Sequence, residues 1–141
     1  MIFRNLRLLL ILFFILPSYL EAKTQFFSEG LSLFKNKKYD EAKFKFEQDI
    51  VLNPKNELSY LYLSKIFNNL EKKDLEEQNL NTVILLNPSN EDAIYNLAKL
   101  KLDSSDYKKS RELIDRLMTL CDKLCSQSQR LKTEIENLSK K

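Results

Sequence analysis

Cys121 and Cys125 are the residues whose type and spacing could do chemistry in this 141-residue chain. Two thiols four positions apart can bind a metal, cycle between redox states, or bridge. A zinc site as a rule takes four nitrogen or sulfur ligands; these are the only two cysteines and histidine is absent, so no metal centre is expected. A redox pair is more often spaced by two residues, at a helix start beside other catalytic groups. A structural disulfide or two buried thiols remain. No other constellation supports catalysis. Without histidine the commonest general base is missing, as is every histidine-based nucleophilic triad. A single glycine excludes a glycine-rich phosphate loop. Carboxylates are plentiful but interleaved with lysines, the pattern of a solvated helix surface. The chain reads as a non-enzyme with no cofactor.

The elements that position the cysteines follow from a repeat. One Gly and three Pro are too few for a β-rich protein full of tight turns, and 43% apolar residues can build a packed core. Leu52-Asn53-Pro54 and Leu86-Asn87-Pro88 stand 34 residues apart, and Ile50/Ile84 and Asn56/Asn90 keep the same offset. Each Pro follows a long apolar-periodic stretch, where it ends a helix. The first repeat, 23–56, divides into two amphipathic helices. Phe26, Phe27, Gly30, Leu33 and Phe34 share one stripe; Tyr39, Ala42, Phe46, Ile50 and Val51 share the other, after the turn Asn36-Lys37-Lys38. The second repeat, 57–90, carries Tyr60, Leu63 and Phe67, then Leu80, Val83 and Ile84. The third, 91–124, carries Ile94, Leu97, Ala98 and Leu102, then Tyr107, Ile114, Leu117 and Met118. A last amphipathic stretch within 125–141, through Leu131, Ile135 and Leu138, is the natural cover for the open end of the array.

A 34-residue helical pair with Phe26, Gly30, Ala42, Phe46 and Pro54 at these positions resembles the tetratricopeptide repeat. The resemblance implies an all-α fold: three helix pairs in a right-handed superhelical array with a C-terminal capping helix. Small residues let paired helices approach and large ones fill between them. The departures are Ser64 for Gly30, Glu76 for Ala42, Ala98 and Ser110 at the small positions of the third repeat, and Asp122 where a Pro belongs. Of these, Glu76 sits least comfortably at a buried contact. At the missing Pro the chain is expected to turn out of the sixth helix, which relieves the strain that a four-residue cysteine spacing would meet within one helix.

The resemblance also implies a concave groove, lined by the first helix of each pair, that binds a protein or peptide. Its positions fall on Phe27, Leu31 and Phe34, on Leu61, Tyr62, Lys65 and Asn69, and on Tyr95, Asn96, Lys99 and Leu102. Any of these, Leu31 and Leu61 above all, can instead pack between helices. Some members of the family clamp a partner's terminal carboxylate; here those positions hold Phe27, Leu31, Tyr62 and Asp92, so the clamp is absent.

Residues 1–22 read differently. Arg4 and Arg7 precede the apolar run Leu8–Leu16, then Pro17 and Leu20-Glu21-Ala22. This is the pattern of a secretory signal peptide cut after Ala22, and the run is short for a spanning helix, which needs about 20 residues. An uncleaved anchor is the alternative. Lys outnumbers Arg 18 to 5 and Asn outnumbers Ala 12 to four, the bias of an AT-rich, bacterial genome. The expected setting is therefore the periplasm, or the inner membrane facing it. An oxidising compartment favours the Cys121–Cys125 bridge. Loss of two Arg and one Glu takes the formal charge from +3 to +2, with no concentrated basic face for nucleic acid. Three repeats are near the minimum for stability, so self-association is a further expectation.

Overall fold

The 34-residue offset recurs in the backbone itself. The computed structural model describes residues 24–139, and seven helices with no strand occupy them: α1 (Gln25–Lys35), α2 (Tyr39–Leu52), α3 (Glu57–Asn69), α4 (Lys73–Leu86), α5 (Glu91–Asp103), α6 (Tyr107–Leu120) and α7 (Cys125–Leu138). The all-α expectation of three pairs and a final helix is met. The leader expected over 1–22, with its cut, lies outside the described residues.

Thr24, Asn56 and Asn90 open α1, α3 and α5, their side chains accepting from the backbone N–H of Phe27, Leu58 and Ala93. Short polar side chains do this best, because the first N–H groups of a helix have no partner within it. The repeated Asn56/Asn90 is thus a repeated helix cap. Inside each pair the chain reverses through a left-handed residue: Lys37, Glu71 and Ser105 have φ of 59°, 56° and 61°. The N–H of the next residue then reaches back to a carbonyl of the first helix (Lys38 to Leu33, Lys72 to Phe67, Asp106 to Lys101). Asn53 and Asn87 end α2 and α4 outside the helical region, with φ of -135° and -136°, since the residue before a proline is kept from helical geometry.

Packing follows the small-against-large rule. Gly30 of α1 faces the Phe46 ring of α2 so closely that a Cβ there would lie 2.9 Å from it. Phe27, Ala42, Phe46, Leu63, Ile66 and Phe67 form one buried cluster over the first two pairs. A larger one runs from Leu61, Leu80 and Val83 through α5 and α6 to Leu131 and Ile135 of α7. The last helix therefore covers the third pair with an apolar face. At the other end Asp49 is wholly buried. Its carboxylate accepts from Thr24 Oγ1 and Ser59 Oγ, and from Asn56 Nδ2 at 2.6 Å, tying the start of α1 to the end of α2 and the start of α3.

Val51 departs from its sequence placement: it is 81% exposed. The buried stripe of α2 runs Ala42, Phe46, Asp49, and two residues beyond Asp49 lies about 200° round the helix.

Candidate functional site

The same two positions are filled differently in each pair. Phe34 and Ala42 occupy them in the first, Leu102 and Ser110 in the third, but Asn68 and Glu76 in the second. The uncomfortable Glu76 is accommodated by its partner: Asn68 Nδ2 donates to both Glu76 carboxylate oxygens at 3.1 Å. A filler and a small residue are thereby replaced by a polar pair. Burial pushes the Glu76 pKa up; the Asn68 hydrogen bond opposes this, Asp103 adds to it, and Lys73 and Lys99 pull it back.

Beside this pair lies a cavity of about 260 Å³ between α3 and α5. Phe34, Lys65, Asn69, Asn96 and Lys99 line it, five of the residues placed in the groove from sequence. Ser64, Asn68, Glu76, Leu100 and Asp103 complete the wall; sequence reasoning did not place them there. The signal for two of them was present, since the replacement of Phe34 and Ala42 by Asn68 and Glu76 is visible as a paired departure. Asn69 Nδ2 donates to the Lys65 carbonyl at 2.7 Å, and the Lys65 ammonium stands 5.3 Å from the Tyr62 ring centroid.

The other groove positions lie elsewhere. Phe27 and Leu61 are 1% and 4% exposed and belong to the core, because each is on the side of its helix that meets its neighbours. Leu102 is buried too, and Leu31 packs against the first cluster. Tyr62 is half-buried, stacked on Phe46 with ring centroids 5.2 Å apart and edge-on to Phe34 at 5.2 Å. Tyr95 packs against the larger cluster. The aromatic positions thus belong chiefly to the fold, whereas the lysines and asparagines reach the cavity.

Cys121 and Cys125 are joined in a disulfide, with Cα atoms 5.3 Å apart. Cys121 ends α6 in extended conformation and Cys125 opens α7, so the bridge spans a turn as expected. The turn is also held from α5: the Glu91 carboxylate accepts from the backbone N–H of Asp122, Lys123 and Leu124. These bonds, those of Leu124 and Asp122 foremost, hold its pKa below the usual carboxylate value. Among the described residues no group of three or more His, Cys, Asp or Glu could hold a metal ion. None of the described helices is long and apolar enough to cross a membrane.

No protein-family model matches the chain, and no curated protein matches it. Solved structures do. The first tetratricopeptide domain of Spaghetti (RPAP3), bound to the HSP90 peptide SRMEEVD, is 18% identical with a TM-score of 0.74, covering 82% of this chain and 91% of that one. The Yersinia enterocolitica type III secretion chaperone SycD, in complex with a peptide of the translocator YopD, is 15% identical with a TM-score of 0.76, covering 83% and 93%. The Arabidopsis OM64 tetratricopeptide domain is 20% identical with a TM-score of 0.68, covering 77% and 93%. With seven helices among its described residues, its small-against-large pairing and this likeness over most of its described length, the chain has the tetratricopeptide-repeat fold.

Proposed function

We propose that this protein is a non-catalytic scaffold of the bacterial periplasm or cell envelope that binds a protein or peptide in its concave groove. The observation that carries the reading is the cavity between α3 and α5, where Lys65, Asn69, Asn96 and Lys99 converge. The Asn96 amide and Lys99 ammonium have no hydrogen-bond or ion-pair partner among the described residues, and such groups suit the carbonyls and side chains of an extended segment. Two of the similar structures hold peptides, an HSP90 peptide and a translocator peptide. The signal-like residues 1–22 and the Cys121–Cys125 bridge support an oxidising, exported setting. Affinity capture from an envelope extract, with the protein and with the Asn96→Ala/Lys99→Ala variant, tests it. Recovery of the same partner in equal amount by both would remove the site from this cavity. Tyr62 is a poor choice for truncation, since its ring is stacked in the core.

A second reading, an assembly subunit tethered by an uncleaved N-terminal segment, is favoured by one feature. The start of α1 and the ends of α2, α4 and α6 share one edge of the array, and Val51, Leu52, Leu85 and Leu120 are exposed there. Residue 24 leaves the array at that edge, beside Asp49. The intact mass of protein from the envelope separates the two: a chain beginning at Lys23 excludes the tether.

A further inference from the structure

Glu76 is a carboxylate where a solvated surface would not put one. It is 5% exposed, lies against the cavity of about 260 Å³, and has one side-chain donor among the described residues, Asn68 Nδ2. An ionised carboxylate offers about four acceptor sites; Asn68 takes one on each oxygen, so each oxygen can accept a further donor from the cavity. A charge held in low dielectric gains most from an opposite charge brought to it. Asp103 lines the same cavity and adds a second negative group. Lys73 and Lys99 act on it only through space: no lysine forms an ion pair with Glu76 among the described residues, Lys99 is exposed, and Lys65 stands over the Tyr62 ring. Phe34 and Leu100 supply apolar wall. The volume falls below the roughly 300–1,000 Å³ of small-molecule pockets and suits one long side chain.

We propose that this cavity receives a basic side chain of the bound segment, its cationic head on Glu76 and Asp103 and its methylene stem along Phe34 and Leu100. The inference rests on the groove reading above and states what the groove selects. An acidic side chain would bring its charge beside a buried carboxylate, and its compensation by the exposed Lys99 would be weak in water.

The test titrates N-acetyl-arginine amide, and separately N-acetyl-glutamate amide, into isotope-labelled protein and follows the side-chain amide signals of Asn68 and Asn69. The arginine probe moves both signals and the glutamate probe moves neither. Glu76→Gln, which keeps the shape, weakens the arginine response about tenfold. Should that variant fold poorly, Asp103→Asn on the exposed wall weakens it about threefold. A stronger response to glutamate, no response to arginine, or unchanged arginine binding in the folded variants would overturn the proposal. Its failure while capture still depends on Asn96 and Lys99 overturns the basic-side-chain inference alone. Arginine binding with capture indifferent to Asn96 and Lys99 overturns the groove reading instead.

Discussion

Glu91, the first residue of α5, closes the turn that carries Leu124, 33 residues downstream: one carboxylate oxygen accepts the Leu124 N–H at 2.8 Å and the other that of Asp122 at 2.8 Å. Glu57, at the start of α3, does the equivalent work one repeat earlier, accepting from the side chains of Asn87 and Asn90. A glutamate opening one first helix thus fastens the loop after the following second helix. The missing proline of the third repeat is replaced by this carboxylate and the adjoining disulfide.

Glu91→Ala should therefore loosen the turn more than it disturbs the core. Hydrogen exchange at Asp122, Lys123 and Leu124 should quicken, while exchange at Ile94 and Leu97 stays slow. Since the folded-state pKa of Glu91 is lowered, its stabilisation is complete above the ordinary carboxylate range and is lost as pH falls through the lowered value. Protection of the turn amides, taken relative to the intrinsic exchange rate at each pH, should fall over that acid range in the parent protein, and the variant should show no such step.

Glu76 should behave oppositely. Its pKa is raised by burial, so its charge opposes folding above that raised value, and the penalty fades as pH falls below the ordinary one. Glu76→Gln should unfold at a higher temperature than the parent at neutral pH, with the gap closing in acid. A variant less stable than the parent at neutral pH would contradict this.

Gly30→Ala should destabilise. Alanine gains about 1 kcal/mol over glycine within a helix. The new Cβ, however, would meet the Phe46 ring at 2.9 Å, and that ring cannot retreat, being stacked on Tyr62 and set edge-on to Phe27. Overpacking costs about 1–3 kcal/mol, so a net loss of about 1 kcal/mol is expected. Thermal unfolding of Gly30→Ala should shift downward by roughly 4 °C.

Glu71→Gly should stabilise. Glu71 holds φ at 56°, a region that costs a side-chain-bearing residue of order 1 kcal/mol and glycine almost nothing. The extra freedom of glycine in the unfolded chain offsets part of this. A gain of about 0.5 kcal/mol in chemical denaturation is expected, with an equal gain for Lys37→Gly in the same turn of the first pair.

Reduction of Cys121–Cys125 should cost about 2 kcal/mol, the loop-entropy value for so short a ring. The cap should nonetheless remain docked, because Leu131 and Ile135 are buried and Lys132 pairs with Asp115 at 2.7 Å. Urea unfolding with and without reductant measures the first, and retained protection of Ile135 checks the second.

By itself the sequence determined the period, the helical class and the cysteine turn. These depend on local physics that a linear pattern records: Pro54 and Pro88 stop helices, Asn56 and Asn90 cap them, and apolar residues recur at helical spacing. Five of the cavity residues could be placed as well, because the resemblance to the tetratricopeptide repeat implies which positions of each first helix face the groove. Only the tertiary structure decided that Phe27, Leu61 and Leu102 are core and that Val51 is exposed, since burial depends on how far each neighbouring helix reaches. It alone joined Glu91 to the turn at the far end of its own repeat, and Asn68 to Glu76, because a hydrogen bond needs two atoms within reach and a sequence records neither distance nor direction. The cavity beside that pairing draws its wall from four helices, α1, α3, α4 and α5, a meeting that only the packed fold brings about.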